Sequence, residues 1–168
     1  MRVSYMLTME QLSVLAFFLG LETLPGLPDL PKVGLEKSDK LVDLMSNEGL
    51  LVKSGKICSV DLTLGFVLRQ MASPDMLVKA PDGGFAACTK ELGTVVTLDR
   101  RGGGKYKITP LPTPGDIADM LWEDIVEDTI KEEIQFSISK GSEEYIAMMS
   151  KTELEKLISD AYTEVTYE

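Results

Sequence analysis

The sequence predicts an α+β fold in which an antiparallel meander of four to five strands is flanked by helices. Three observations carry that reading. Residues 8–72 place apolar side chains at helical spacing in three separate runs. Residues 76–111 hold four short β-rich runs separated only by compact turn signals. After residue 113 helical spacing returns, broken by one clean alternation at Ile134, Phe136 and Ile138. With 168 residues and 44% hydrophobic content, the chain has enough material for a real core. Residues 1–127 read as one unit of helices plus sheet, and 128–168 as a partial α/β extension.

Each element has a local cause. In "LTMEQL", Thr8 caps the first helix, Gln11 is its capping-box partner, and Leu7 and Leu12 are placed as a hydrophobic staple. Leu12, Leu15, Ala16 and Leu19 continue at helical spacing until Gly20 and the prolines of "LPGLPDLP" end the run. A second helix spans about Leu35 to Asn47, with Leu41, Leu44 and Met45 as its stripe and Gly49 beyond its end. "LLVKSGKICSV" reads as a hairpin around Ser54-Gly55. Asp61 caps a third helix reaching Ala72, with Leu64, Val67, Leu68 and Met71 facing inwards and Pro74 closing it.

"MLVKA", "FAACTK", "TVVTLD" and "KYKITPL" are the four strands, joined by "PDGG", "ELG" and "RRGGG". Short turns between sequential strands imply an antiparallel meander. "TPGD" starts a helix with Thr113 as cap and Pro114 first, and Ile117, Met120, Leu121 and Ile125 face inwards. "SKTELEKLISDA" is a final helix with a Ser150/Glu153 capping box and a stripe of Leu154, Leu157, Ile158 and Ala161. "TEVTYE" has the residues to start another strand.

Composition narrows the function classes. The chain has no histidine, which removes the commonest general base, the usual triads and most transition-metal sites. Its two cysteines, Cys58 and Cys88, are too few for a disulfide framework and, without histidine, cannot form an ordinary zinc site. They read as small apolar core residues. No nucleophile elbow, nucleotide motif or metal cluster appears. No catalytic residue, cofactor or metal ligand is therefore assigned, and an enzyme is not expected. The longest apolar run, Leu12 to Leu21, is roughly half a membrane span, and the opening residues lack a signal peptide's unbroken apolar core. A cytosolic protein without membrane insertion is expected.

Charge is unevenly placed. Residues 1–115 hold 13 Lys/Arg against 12 Asp/Glu, a net of +1, and residues 116–168 hold 4 against 15, a net of −11. The total of −10 disfavours nucleic acid and anionic membranes as partners.

"RRGGGK" looks like a phosphate cradle but lacks its requirements. A P-loop needs Ser or Thr after the lysine and a helix beginning there. Here Lys105 is followed by "YKITP", which is β-forming. The stretch reads as a hairpin tip. Arg100, Arg101, Lys105 and Lys107 nonetheless make a basic patch on an acidic molecule, and so are candidate partner contacts. The acidic run "WEDIVEDTIKEE" lacks the spacing of a calcium loop and reads as a solvated helix face, with Trp122 in core or interface. Three helices followed by a β-hairpin also fit a winged-helix-type transcription regulator or protein-binding module. Its reading helix, however, would carry one basic residue, Arg69.

The order of motifs resembles a known family. "LTMEQLSVLAFFLGLETLPGLP", then "LVDLMSNEGLLVKSGKICSVDLTLGFVLRQMASPDMLVKA", then "FAACTKELGTVVTLDRRGGGKYKITPL" is similar to EspG-like proteins, the cytosolic chaperones of ESX (type VII) secretion. The resemblance covers about residues 6–125. It implies a non-enzymatic chaperone or adaptor that holds helical secretion substrates of the PE/PPE kind, or related small helical proteins. Members of that family are commonly longer and built from two related halves. This chain is either a fragment or a short relative from a different ESX-like system, and in the second case a homodimer would supply the missing half. Met148 and Met149 in "YIAMMS", and the Phe17-Phe18 pair, are candidate client contacts on a Met-rich surface, with core packing as the alternative fate of each.

Overall fold

A computed structural model describes residues 3–99, 104–125 and 132–166. The elements in chain order are β1 (Tyr5–Leu7), α1 (Met9–Leu19), α2 (Leu35–Asn47), β2 (Leu51–Ser54), β3 (Ile57–Val60) and α3 (Leu62–Ala72). They are followed by β4 (Met76–Lys79), β5 (Phe85–Cys88), β6 (Gly93–Asp99), β7 (Lys105–Leu111), α4 (Pro114–Ile125), β8 (Ile134–Lys140), β9 (Glu143–Met149) and α5 (Lys151–Thr166).

The fold class is α+β as expected, but the sheet is larger than four to five strands. Seven strands lie in the order β1-β7-β6-β5-β4-β8-β9, and every pairing is antiparallel. The meander β4–β7 forms its centre. The two additions come from distant segments: β1 pairs with β7, and β8 pairs with β4. The strands of the C-terminal segment therefore continue the same sheet. A separate hairpin, β2–β3, stands off it.

Alternation along the strands sorts the side chains into two cores. On one face Val78, Ala86, Cys88, Val95, Phe136, Ile138 and Met149 pack under α4 and α5. On the other face Leu7, Phe85, Ala87, Val96 and Ile108 pack under α1, α2, α3 and the hairpin. The molecule is thus a sheet between two layers. The layers are offset. The α1–α3 layer covers β1, β7, β6 and β5, whereas the α4–α5 layer lies over the β9 side of the sheet as far as the end of β7.

Local chemistry fixes the helix ends. The Thr8 backbone N–H donates to Gln11 Oε1 at 2.9 Å, and the Gln11 N–H donates to Thr8 Oγ1 at 3.1 Å, closing the capping box. Asp61 caps α3 by accepting from the Leu64 N–H at 3.1 Å. Ser150 accepts from the Glu153 N–H at 3.2 Å at the start of α5. The proline stretch folds back on α1, where Ser13 Oγ donates to the Pro31 carbonyl.

Two glycines set how closely the layers approach. A Cβ on Gly93 of β6 would lie 1.9 Å from Ile117 Cδ1 of α4 and 2.6 Å from the Tyr162 hydroxyl of α5. A Cβ on Gly26, which also has a φ of +93°, would lie 2.7 Å from the Phe85 ring. One glycine seats each layer.

Several expectations need correction. "TEVTYE" does not start a strand, because α5 continues through Thr166. "YIAMM", to which the sequence reading assigns no element, is most of β9. Leu44 is exposed, and Val42 shares the inward side of α2 with Leu41 and Met45. Cys88 is buried, but Cys58 is only partly so. Trp122 is half-buried against the α4–α5 core, its ring centre 6.4 Å from that of Phe136. The side chain of Ile125 lies outside the described residues.

Candidate interaction surface

The residues singled out from sequence do not come together. β6 and β7 are antiparallel neighbours up to Asp99 and Lys105, so "RRGGG" links strand to strand. Arg100 and Arg101 lie outside the described residues. Lys105 is exposed and Lys107 half-buried. Both alternate with Tyr106 and Ile108, which face the α1–α3 layer, so they stand on the opposite face. Met148 and Met149 are at the other end of the sheet, and the pleat separates them. Met149 is 6% exposed and belongs to the core, which removes it as a contact, whereas Met148 is 54% exposed.

A different set of apolar side chains is exposed on neighbouring elements. Phe17 and Phe18 of α1 are exposed, with ring centres 6.0 Å apart in an edge-to-face arrangement. Leu62 and Phe66 project from α3, and Val52 and Ile57 from the hairpin. Phe17 is 80% exposed, Ile57 72% and Leu62 90%. The elements carrying them are packed together: α1 contacts both α3 and β3, and Gly65 of α3 lies against Leu19 and Val60.

The cause is a phase mismatch. In α3 the core stripe is Leu64, Val67, Leu68 and Met71. Leu62 and Phe66 are four residues apart and off that stripe, so they share the outward side. In the hairpin, Leu51, Cys58 and Val60 turn inwards, so Val52 and Ile57 turn outwards. In α1 the residues at 12, 14, 15 and 16 are buried, and two further aromatics have no core left to fill. Sequence reasoning reached Phe17 and Phe18 but missed the other four. The available signal was apolar residues out of phase with a stripe that was already assigned.

Burying one such Leu, Ile or Phe contributes about 1.5–3 kcal/mol. Leaving six of them in water is a large forfeited stabilisation unless another surface covers them. Polar groups on this layer are structural. Lys37 pairs with Glu10 at 2.7 Å and joins α1 to α2, and Lys53 pairs with Asp43 and joins α2 to β2. The Asp43 hydrogen bond pushes the Lys53 ammonium above its ordinary range.

The strongly shifted acids lie elsewhere. Burial pushes the Cys88 thiol up to about 12, with the Asp75 charge adding to it. Burial also raises the Tyr162 hydroxyl, with Cys88 as the second cause. Both sit under α4 and α5, away from the exposed apolar side chains. An open hollow of about 300 Å³ lies between the proline loop and the sheet, lined by Gly26, Leu27, Pro28, Lys79, Leu98 and Tyr106. Among the described residues, no group of three or more His, Cys, Asp or Glu side chains is placed to hold a metal ion, and no helix is long and apolar enough to cross a membrane.

No protein-family model and no curated protein matches the chain.

Proposed function

We propose that this protein is a non-enzymatic binding protein, a chaperone or adaptor for helical clients of the type VII (ESX-like) secretion kind. The observation that carries the binding role is the set of exposed apolar side chains on α1, the β2–β3 hairpin and α3. The resemblance of residues 6–125 to EspG-like chaperones supplies the class of client. An amphipathic helix docks on a surface of this type by placing an apolar stripe against aromatic and aliphatic anchors. Helical secretion substrates have such stripes, and exposed before export they aggregate.

The same surface argues against the regulator reading. The outward side of α3 presents Leu62, Phe66 and a single cation, Arg69. Phosphates require several cations and hydrogen-bond donors, whereas an apolar stripe is served by this composition. Lys105 and Lys107 stand on the opposite face of the sheet, so the basic patch is not part of this surface.

Co-expression with the small helical proteins encoded beside this gene tests the reading. A complex that survives affinity purification and gel filtration is the expected result. Absence of any complex, together with salt-resistant binding to promoter DNA, would overturn it in favour of a regulator.

A further inference from the structure

We propose that β9 is a homodimerisation edge, pairing antiparallel with β9 of a second copy about a two-fold axis at Ile146. β9 ends the seven-stranded sheet, and among the described residues no strand pairs with its outer side. Exposed edges are normally blunted by shortness, proline, a bulge or a central lysine. The opposite edge follows that practice, since β1 has three residues. β9 does not. It has seven residues without proline, glycine or lysine, and its register with β8 is unbroken from Met149 to Glu143.

The pattern of β9 is self-complementary. A two-fold axis at Ile146 is the arrangement that pairs all seven residues. Ile146 then faces the partner's Ile146, and Glu144 faces the partner's Met148. On the other side of the sheet Tyr145 faces the partner's Ala147, a large residue against a small one. Ile146 is 66% exposed, so this contact covers apolar surface that is otherwise wet. The charges agree. Glu143 and Glu144 of the two copies go to opposite ends of the strand pair, so the like charges are kept apart. Parallel pairing would set the glutamates side by side, which is unfavourable. On the face away from α4 and α5, Gln135, Ser137, Ile146 and Met148 are exposed, so no helix of the α1–α3 layer obstructs a second sheet there. Each copy carries a charge of −10, so their association strengthens as salt rises.

The test is sedimentation equilibrium of the full chain at tens of micromolar in low and moderate salt, with Ile146→Lys beside it. A dimer is expected whose dissociation constant falls with added salt and rises at least tenfold in the variant, with the wild-type far-UV circular dichroism spectrum retained. Disulfide trapping in a Cys58→Ser background reads the register directly. Opposed residues of an antiparallel pair have Cα atoms about 4.5–5.5 Å apart, within disulfide range. Ile146→Cys is therefore expected to cross-link on oxidation. Glu144→Cys is not, because its counterpart lies about 14 Å away along the strand. A wild-type monomer at these concentrations, a dimer untouched by Ile146→Lys, or cross-linking at Glu144→Cys but not at Ile146→Cys would each overturn the proposal. The trapping result stands on its own if Ile146→Lys does not fold.

Discussion

The two layers that cover the sheet perform the same structural task and end in opposite surfaces. In α4 and α5 the apolar residues stay in phase: Ile117, Ala118, Leu121, Leu154, Ile158 and Ala161 are buried, and the exposed positions are charged, among them Glu123, Glu153 and Glu155. In α1, α3 and the hairpin a core stripe is equally complete, yet Phe17, Phe18, Leu62, Phe66, Val52 and Ile57 are left outside it. Stability requires only the first arrangement. The surplus apolar side chains of the second do nothing for the monomer, which is why the proposed client surface is placed there.

The comparison can be broken most severely at the glycine seats. Gly93→Val drives two methyl groups into Ile117 and Tyr162 and should destabilise the fold by about 3 kcal/mol or more, visible as a lower urea midpoint. Gly26→Ala meets the Phe85 ring in a backbone conformation that disfavours a side chain, and should cost about 1–3 kcal/mol. Equal tolerance of both changes would show that neither layer is seated as described.

Alkaline pH should act most strongly through the α4–α5 layer, where Cys88 and Tyr162 are shifted furthest; Tyr5 and Lys53 of the other layer are raised too. Cys88 and Tyr162 keep their protons in the folded state above the pH at which the unfolded chain loses them. The unfolded state then binds fewer protons, so stability falls as pH rises from about 9 towards 12. For Cys88 the slope is at most about 1.4 kcal/mol per pH unit. Urea midpoints between pH 8 and 11 should decline, and Cys88→Ala should flatten the decline. Consistent with this, a maleimide at pH 8 should label Cys58 in the native protein and reach Cys88 only after unfolding.

A smaller effect of opposite sign is expected at Thr94. Its hydroxyl is buried in β6 without a hydrogen-bond partner among the described residues. Thr94→Val keeps the shape and removes the orphaned group, and should stabilise by about 1 kcal/mol in a thermal melt.

What the sequence disclosed depended on whether the signal was local. The Thr8/Gln11 box, the Asp61 cap and the four meander strands each rest on residues within a few positions of one another, and they could be read directly. β1 could not, because Tyr5–Leu7 becomes a strand only by pairing with β7, about a hundred residues away. β9 was obscured by its composition: "EEYIAMM" has too many apolar residues for a clean alternation, since its inner face is core and its outer face is apolar as well. "TEVTYE" misled because β-branched residues carry only a weak preference, which a helix already propagating through α5 overrides. Among the site residues, Lys105 and Lys107 were found by charge and Phe17 and Phe18 by hydrophobicity. Leu62, Phe66, Val52 and Ile57 lie within elements that are legible in the sequence, and their outward placement follows only from the phase of the inward stripes.

The most direct measurement of the central claim is calorimetric titration of a helical client into two variants of the full chain. One carries Phe17→Asp and Leu62→Asp on the apolar layer. The other carries Glu123→Lys and Glu155→Lys on the charged layer. The apolar-layer variant should keep the wild-type melting temperature and lose at least a hundredfold in affinity, about 2.7 kcal/mol, while the charged-layer variant stays within about threefold of wild type because its changes are exposed and screened. Full affinity in the first variant, or a loss confined to the second, would contradict the assignment of the client surface to α1, α3 and the hairpin.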